Sequence, residues 1–445
     1  MERQRGAHEW RRDWLDPGVT GISDDPRRVP VEPGSCQKEG CLAITGGRVF
    51  DGTGIEARAG TVLTRGDRIV AVGQPEEGVP PDARRIDATG MTVLPGLIDL
   101  HTHITYHEPE DTAEQAQSSA GATLRALERL RFYLESGITA IRDAGSHGDI
   151  PFSLKARVLG GGLASPRIFP AGQLITGTGG HGAEGLGPLS AAWGKIREAS
   201  GPDDWRNAAR EQFKAGADVI KIASHFSPDE VAAVVDEAHT LGLKVMCDAE
   251  TRYIDMAVRA GVDVIEHPLP RSDEAIELMA QRDTQAVPTL VPYLFIFNQR
   301  GGYFGSTSRR FTFSPEANRD VVSRMIEAGV SIGVGTDLIL DWFRYLPGAY
   351  IEELAELTRC GFSPAQALRA ATTVSAEILD MQDHLGTLEP GKLADIILVP
   401  GRPEENLEEL AGVRTVIIGG RVVLDEGRVL TVPHRPRPLP WTEGN

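Results

Sequence analysis

From Gly96 to about His384 the chain alternates short apolar runs with amphipathic stretches, and this alternation restricts its fold more than any other feature. The runs read MTVLPGLIDL, GITAIRDAG, SPRIFPAG, DVIKIAS, LKVMCDA, DVIEHP, QAVPTLV and SIGVGTD. Each is too short for a helix, carries β-branched residues, and leads into a turn, a polar group or a helix start. Some helix starts are explicit. Ser227-Pro228-Asp229-Glu230 supplies a cap, a first-turn proline and the acid of a capping box, ahead of VAAVVDEAHTLG. Ser314-Pro315-Glu316 and Ser363-Pro364 repeat the signal. About eight successive βα units, with MTVLPGLIDL as the first strand, predict an α/β fold of the (β/α)8 TIM-barrel type. A doubly wound open sheet is the other arrangement of such units, but no Gly-rich phosphate fingerprint follows the first strand.

The flanks read differently. Residues 42–95 contain LAITGGRVFDG, GTVLTRGDRIVAVG and MTVLPG, which are β-rich runs separated by Gly and Asp turns. Residues 385–433 return to this character in LGTLEPGKLADIILVPG and VRTVIIGGRVVLDEGRV. Neither piece is large enough to be stable alone. They are expected to join in one small composite β-sandwich from both chain ends, with the barrel of residues 96–384 inserted between them. Residues 1–41, polar and Pro-rich, read as an N-terminal extension, and residues 434–445 as an irregular C-terminal tail.

Size and charge narrow the partners. The 445 residues, 41% of them hydrophobic, suffice for one large core with a satellite domain. A formal net charge of −17 repels phosphate backbones, so nucleic acid is not an expected partner, while the charge says little about a small-molecule or peptide substrate. Four cysteines are too few for a disulfide scaffold. Reduced thiols are expected at Cys36, Cys41, Cys247 and Cys360, with a Cys36–Cys41 bridge as the other reading. The opening MERQRGAHEWRRDWLDPG lacks the apolar core of a secretory signal, and no stretch approaches 18 consecutive apolar residues. A cytoplasmic location without a membrane partner is therefore expected. A homo-oligomer stays open.

In a barrel of this kind, reacting groups sit where strands end and βα loops begin. The first strand ends in His101-Thr102-His103, whose two imidazoles point the same way in an extended segment and can face one metal ion. A lone His-x-His arises often by chance. Lys221 lies inside VIKIAS, where a lysine requires a partner, a modification or a path to solvent. His267 ends DVIEHP and Asp337 ends SIGVGTD; taken singly, a hydrogen-bonded core histidine and a helix cap explain them. Their convergence at the ends of separate strands of one barrel is what points to a metal site.

These motifs resemble the amidohydrolase superfamily. LPGLIDLHTHI, the Lys of VIKIAS, the His of IEHP and the Asp of VGTD carry the likeness. SGITAIRDAGS, TGTGGHG, AVRAGVDVIEHP and LGTLEPGKLADIILV resemble its imidazolonepropionase-like and Xaa-Pro dipeptidase-like branch, in the expected order over residues 42 to about 425. The resemblance implies that His101 and His103 bind a first divalent ion, zinc by preference. It implies that Lys221 is N-carboxylated and bridges to a second ion, and that His267 binds this second ion. Asp337 would bind the first ion and shuttle a proton, and His181 would face the substrate and support the developing oxyanion. Such ions make bound water acidic, and a carbamate supplies a hard oxygen donor.

One segment departs from the branch. Where a His ending strand five is expected, the chain reads Val245-Met246-Cys247-Asp248-Ala249-Glu250. Asp248 can serve as a harder ligand, a one-residue shift would bring in Cys247, or a single-metal site would remain. Ser224 and His225 could line the pocket, and Arg252 with Tyr253 could hold a substrate carboxylate through the bidentate guanidinium; each also fits a solvent-facing loop or helix start. His107 and His147 read as ordinary loop residues, and Asp143 as structural. The aromatic-rich residues 291–313 read as loop packing or as an apolar lid. The expected activity is hydrolysis of an amide C–N bond in a peptide or N-acyl amino acid by metal-activated water. Trimming of a modified peptide in natural-product maturation, similar to the amidohydrolase of bottromycin pathways, is its narrower form. Opening of a cyclic amide or amidine and a non-catalytic binding protein on the same fold are the alternatives.

Overall fold

The computed structural model describes residues 40–74, 78–107, 111, 118–183, 194–301, 303–305 and 310–431. Both expected terminal segments, 1–41 but for its last two residues and 434–445, lie outside these, as does Cys36.

Five strands open the described chain: β1 (Cys41–Val49), β2 (Arg58–Arg65), β3 (Arg68–Gln74), β4 (Arg84–Asp87) and β5 (Met91–Pro95). The barrel follows. It runs β6 (Leu97–Thr102), α1 (Ser119–Glu135), β7 (Ile138–Asp143), α2 (Ile150–Leu159), β8 (Arg167–Pro170), β9 (Leu174–Gly177), β10 (Ile196–Ala199) and α3 (Pro202–Ala215). It continues through β11 (Val219–Ala223), α4 (Pro228–Thr240), β12 (Lys244–Asp248), α5 (Arg252–Ala260), β13 (Val264–Glu266), α6 (Asp273–Arg282), β14 (Gln285–Val287) and α7 (Leu290–Arg300). A small hairpin, β15 (Tyr303–Gly305) with β16 (Arg310–Thr312), precedes α8 (Pro315–Glu327) and α9 (Gly348–Arg359). The last strands are β17 (Ile396–Pro400), β18 (Thr415–Ile418), β19 (Arg421–Asp425) and β20 (Arg428–Val429).

The barrel strands are parallel, and the ring closes on residues 331–338. That segment bridges β14 through Ala286 and Ile332 and β6 through Thr102 and Leu338, with Leu100 N–H donating to the Val334 carbonyl. The third stave is broken into β8 and β9, and β10 adds to its outer edge alongside β9. Side chains alternate across each strand as the pleat requires. Ile98 and Leu100 of β6, Phe169 of β8, Val219 of β11, Met246 of β12 and Val287 of β14 fill the barrel interior. Ile141, Ile220, Ile222, Val245, Cys247 and Ile265 face the helical layer instead. Lys221 therefore shares the inward face of Val219, and Asp248 that of Met246, whereas Cys247 points away from the axis.

The run MTVLPGLIDL divides at Gly96 rather than forming one barrel strand. Met91–Pro95 pairs with β17 and β1, while Leu97–Thr102 pairs with β7. A Cβ on Gly96 would meet Thr139 Oγ1 at 2.0 Å, so only glycine lets the chain cross between the two sheets there. The strands from both chain ends form one hydrogen-bonded sheet in the order β20-β19-β18-β17-β5-β1-β2-β3, with β4 beside β1. This sheet curls, because Val62 and Ile69 from one end share a buried cluster with Ile396, Leu398 and Ile417 from the other. The expected helix caps form: Ser227 and Glu230 make a reciprocal capping box, Ser363 and Gln366 make another, and Ser314 caps α8. The aromatic-rich stretch is not a loop but α7 and the β15–β16 hairpin. Its composition concealed the helix because bulky aromatics carry little helix propensity. Among the described residues no helix is long and apolar enough to cross a membrane.

Candidate metal centre

The strand ends meet in a cavity of about 330 Å³, within the size range of small-molecule sites. Its floor holds His101, His103, Lys221, Asp248, His267 and Asp337, and His181 lies on its wall. Six strand ends supply these groups, so the barrel ring sets their spacing. His101 and His103 leave β6, Lys221 sits in β11, Asp248 ends β12, His267 follows β13, and Asp337 belongs to the closing stave. His181 hangs from the turn after β9, its N–H donating to the Ser224 carbonyl.

Ligand atoms of His101, His267 and Asp337 lie within 4.8 Å of one another. His103 Nε2 is 3.3 Å from Asp337 Oδ1, and His267 Nε2 is 3.2 Å from Asp248 Oδ2. Two ligands each about 2.0–2.1 Å from a tetrahedral ion stand roughly 3.3 Å apart, so both separations match edges of such a shell. Lys221 Nζ lies 3.3 Å from His101 Nε2. Asp248 Oδ2 also approaches His181 Nε2 at 3.3 Å, so this carboxylate sits between two imidazoles.

The far side of each imidazole is committed elsewhere. His101 Nδ1 donates to Glu266 Oε2 at 2.7 Å, and Glu266 Oε1 accepts from Arg142 at 2.6 Å; all three side chains are buried. His103 Nδ1 donates to the Gly145 carbonyl at 2.9 Å. His267 Nδ1 shares a 2.7 Å hydrogen bond with Thr289 Oγ1. Such partners fix ring orientation and present Nε2 to the cavity, the arrangement metal-ligating histidines require. Burial, with the Lys221 charge next in weight, drives the His101 imidazole well below its usual range, so it is neutral and competent to ligate. Burial alone would raise the Asp337 carboxyl, but the neighbouring His103, His267 and Lys221 outweigh it and hold it below the usual carboxylate range. His267, Thr289 and Asp337 all adopt positive φ, at 66°, 47° and 44°. Non-glycine residues in that region cost about 1–3 kcal/mol each and persist where their surroundings over-determine them. Arg271 is one such constraint, its guanidinium donating to the carbonyls of His267 and Leu269.

His225, Arg252 and Tyr253 do not line this cavity. The His225 and Tyr253 rings pack 5.5 Å apart, and the exposed Arg252 guanidinium lies over Tyr253. Asp143 is buried and accepts from the Ile104 N–H, which braces the loop after His103. His107, read from sequence as an ordinary loop residue, does line the cavity, as do Tyr106 and Lys195. Sequence reasoning passed over Glu266 and Arg142, although both are charged residues inside apolar strand runs, the signal that singled out Lys221. Thr289 and Gly145 carried no such mark.

Comparison with known proteins decides the family. Residues 92–423 match the family model described as "Amidohydrolase family". The chain belongs to that family. It is 28% identical over 416 residues to the imidazolonepropionase of Symbiobacterium thermophilum, covering 83% of this chain and 91% of that one. It is 26% identical over 450 residues to the ochratoxinase of Aspergillus niger, with 91% of each covered. A prolidase solved in complex with N-methylphosphonate-L-proline superposes with a TM-score of 0.74 at 32% identity, covering 86% of this chain and all of that one. These relatives are the branch its motifs resemble, and the amidohydrolase acts as a hydrolase on C–N bonds. Family members generally bind divalent metals, which suits the His/Asp group found here.

Proposed function

We propose that this amidohydrolase hydrolyses the amide bond of a peptide or N-acyl amino acid with the help of one or two divalent ions, zinc by preference. The observation that carries the reading is the convergence of His101, His267 and Asp337, with the far side of both imidazoles fixed by a buried partner. His101, His103 and Asp337 would hold the first ion, and Lys221, as its carbamate, would link it to a second held by His267 and Asp248. A divalent ion in such a site lowers the pKa of bound water toward 7 and polarises a carbonyl.

The chain's own residues do the rest. Asp337, kept ionised, accepts the proton of the attacking water and returns it to the departing nitrogen, a role worth about 10²–10⁴ in rate. His181, on the cavity wall with its Nε2 3.3 Å from Asp248 Oδ2, would support the developing oxyanion. Leu174, Ile196, Pro292, Tyr293, Ile296 and Trp342 form an apolar part of the lining and shield the reacting atoms from bulk water. This apolar lining supports a substrate with a hydrophobic group beside the scissile bond. The narrower form of the reading, trimming of a modified peptide during natural-product maturation, draws on the same lining and on Asp248 in place of a histidine. Its check is whether heterocycle-containing peptides are cleaved faster than simple dipeptides.

The test is a hydrolysis panel with protein reloaded with zinc or manganese after chelation. N-acetyl amino acids and dipeptides should be cleaved only with metal present, and Asp337→Asn should lower kcat by roughly 10²–10⁴ with an unchanged circular dichroism spectrum. Protein that cleaves equally well without a divalent ion excludes the metal-dependent reading, and protein that binds no divalent ion and cleaves nothing leaves the binding-protein alternative. The likeness to an imidazolonepropionase favours one second reading, opening of a cyclic amide. Ring substrates in the same panel separate the two.

A further inference from the structure

Besides its ligand-type floor, the cavity contains a lysine that the hydrolytic scheme does not use. Lys195 immediately precedes β10, the strand added outside the barrel ring, and its carbonyl accepts from the Leu174 N–H. Its side chain turns into the cavity and is only 5% exposed. The ammonium sits 4.3 Å above the centre of the Tyr106 ring and 3.5 Å from His107 Nδ1. The Tyr106 ring in turn stacks on His103 at 4.4 Å. Burial and the nearby Arg125 and Arg129 charges lower the Lys195 ammonium to about 8. Arg125 pairs with Asp111 through Nη1, yet its buried Nε and Nη2 have no hydrogen-bond partner among the described residues. This corner of the site is therefore rich in positive charge.

Its distance from the metal-type residues is set by the stack. The two ring separations cap the span from Lys195 Nζ to the His103 ring at roughly 9 Å. One extended residue covers about 3.3–3.6 Å. A hydrogen bond of about 2.8 Å at the ammonium and a ligand distance of about 2 Å at the histidine take up most of the remainder. A carboxylate one residue beyond the scissile carbonyl fits that span; one several residues away does not.

We propose that Lys195 binds the free α-carboxylate of the residue released from the substrate, and so selects N-acyl amino acids and dipeptides over internal peptide bonds. Tyr106 and His107 position the ammonium, and the apolar wall of Ile196, Tyr293 and Trp342 receives the side chain of that residue. This role differs from the clamp expected at Arg252, which lies outside the cavity lining. The inference rests on the amide-hydrolysis reading for its chemistry, but the selection of a carboxylate can be measured without turnover.

The experiment compares N-acetyl-L-phenylalanine and N-acetyl-L-proline with their carboxamides, using metal-loaded wild type, Lys195→Met and Lys195→Arg. Acetate release gives kcat/KM, and calorimetry with the same four compounds gives binding. Wild type is expected to favour the acids by about 100-fold, mainly in KM, since a buried charge-assisted hydrogen bond discriminates on that scale. Lys195→Met should reduce that preference to less than about 5-fold, and Lys195→Arg should retain part of it. Melting temperatures of both variants confirm that they are folded. A Lys195→Met protein that keeps the full acid preference overturns the inference. If wild type hydrolyses none of the compounds, the functional reading fails by itself. Calorimetry then decides for or against Lys195: acids bound more tightly than amides only when the lysine is present support it, and equal binding rejects it.

Discussion

At the scale of the residue, Glu266 does two things at once. It accepts from His101 Nδ1 and from Arg142, with all three side chains buried. Its carboxylate turns the imidazole toward the cavity and balances a guanidinium that has left water. A buried pair adds little net stability when made well, but removing one partner strands the other charge and costs about 3–5 kcal/mol. Glu266→Gln keeps the shape and removes the charge. It should lower unfolding free energy by up to that amount in denaturant titrations and weaken metal affinity roughly 10- to 100-fold in a competition assay. Normal metal affinity in that variant would show that the ring is held by its other contacts alone. The residue scale also explains why Glu266 escaped the sequence reading. Lys221, His267 and Asp337 each stand out at a strand end, whereas Glu266 stands next to His267 and is overshadowed by it.

At the scale of the element, two close contacts set the site. The closing stave lies against β6 at Gly335, where a Cβ would come 2.6 Å from Val287 Cγ1 and 2.9 Å from His101 Cβ. Glycine is needed there for approach, not for dihedral freedom. Gly335→Ala should cost about 1–3 kcal/mol through overpacking and displace His101, so melting temperature and metal affinity fall together. Gly348→Ala, where nothing lies within 4 Å, is the control and should leave both unchanged. At the opposite end of the barrel, α4 is tied to the strands by His239, whose Nε2 is 2.8 Å from Asp263 Oδ2. Burial would lower the His239 imidazole, but Asp263 outweighs it and holds it above its usual 6.5. That stabilisation is complete below 6.5 and disappears as pH rises through the raised value. Burial would raise the Asp263 carboxyl, but His239 outweighs it and holds it below its usual 3.8, so that share is complete above 3.8 and lost as pH falls through the lowered value. The pair contributes most between these limits. The melting-temperature deficit of Asp263→Asn should therefore peak near pH 4–6.5 and shrink above it; a deficit that grows toward pH 9 contradicts the assignment. The barrel strands were legible from apolar runs and turn residues, and so were the capped helices. The break at Gly96, the outward face of Cys247 and the helix at 290–300 were not, because each depends on which neighbour a segment packs against. Lys195 was hidden for the same reason: it reaches the site only because β10 adds to β9.

At the scale of the whole molecule, metal-type residues come from both halves of the barrel, so an ion held among them would close it like a clasp. His101 and His103 enter from the first stave, Lys221 and Asp248 from the middle, and Asp337 from the last. The barrel is joined to the composite sheet by Arg167 on β8, whose guanidinium makes two hydrogen bonds to Asp395 at 2.6 and 2.9 Å, and by the Gly96 N–H donating to the Asp395 carbonyl. An ion bound to the folded site alone stabilises by RT ln(1 + [L]/Kd), about 4 kcal/mol when free metal exceeds Kd a thousandfold. Because the ligand-type residues span the ring and the sheet is bolted to it, the loss on chelation should lower the main melting transition as a unit, by roughly 5 °C. Differential scanning calorimetry before and after chelation, with reloading by zinc, measures this directly. A chelated protein with an unchanged transition has no ion holding its staves together, and the clasp, with the metal-dependent reading built on it, is then wrong.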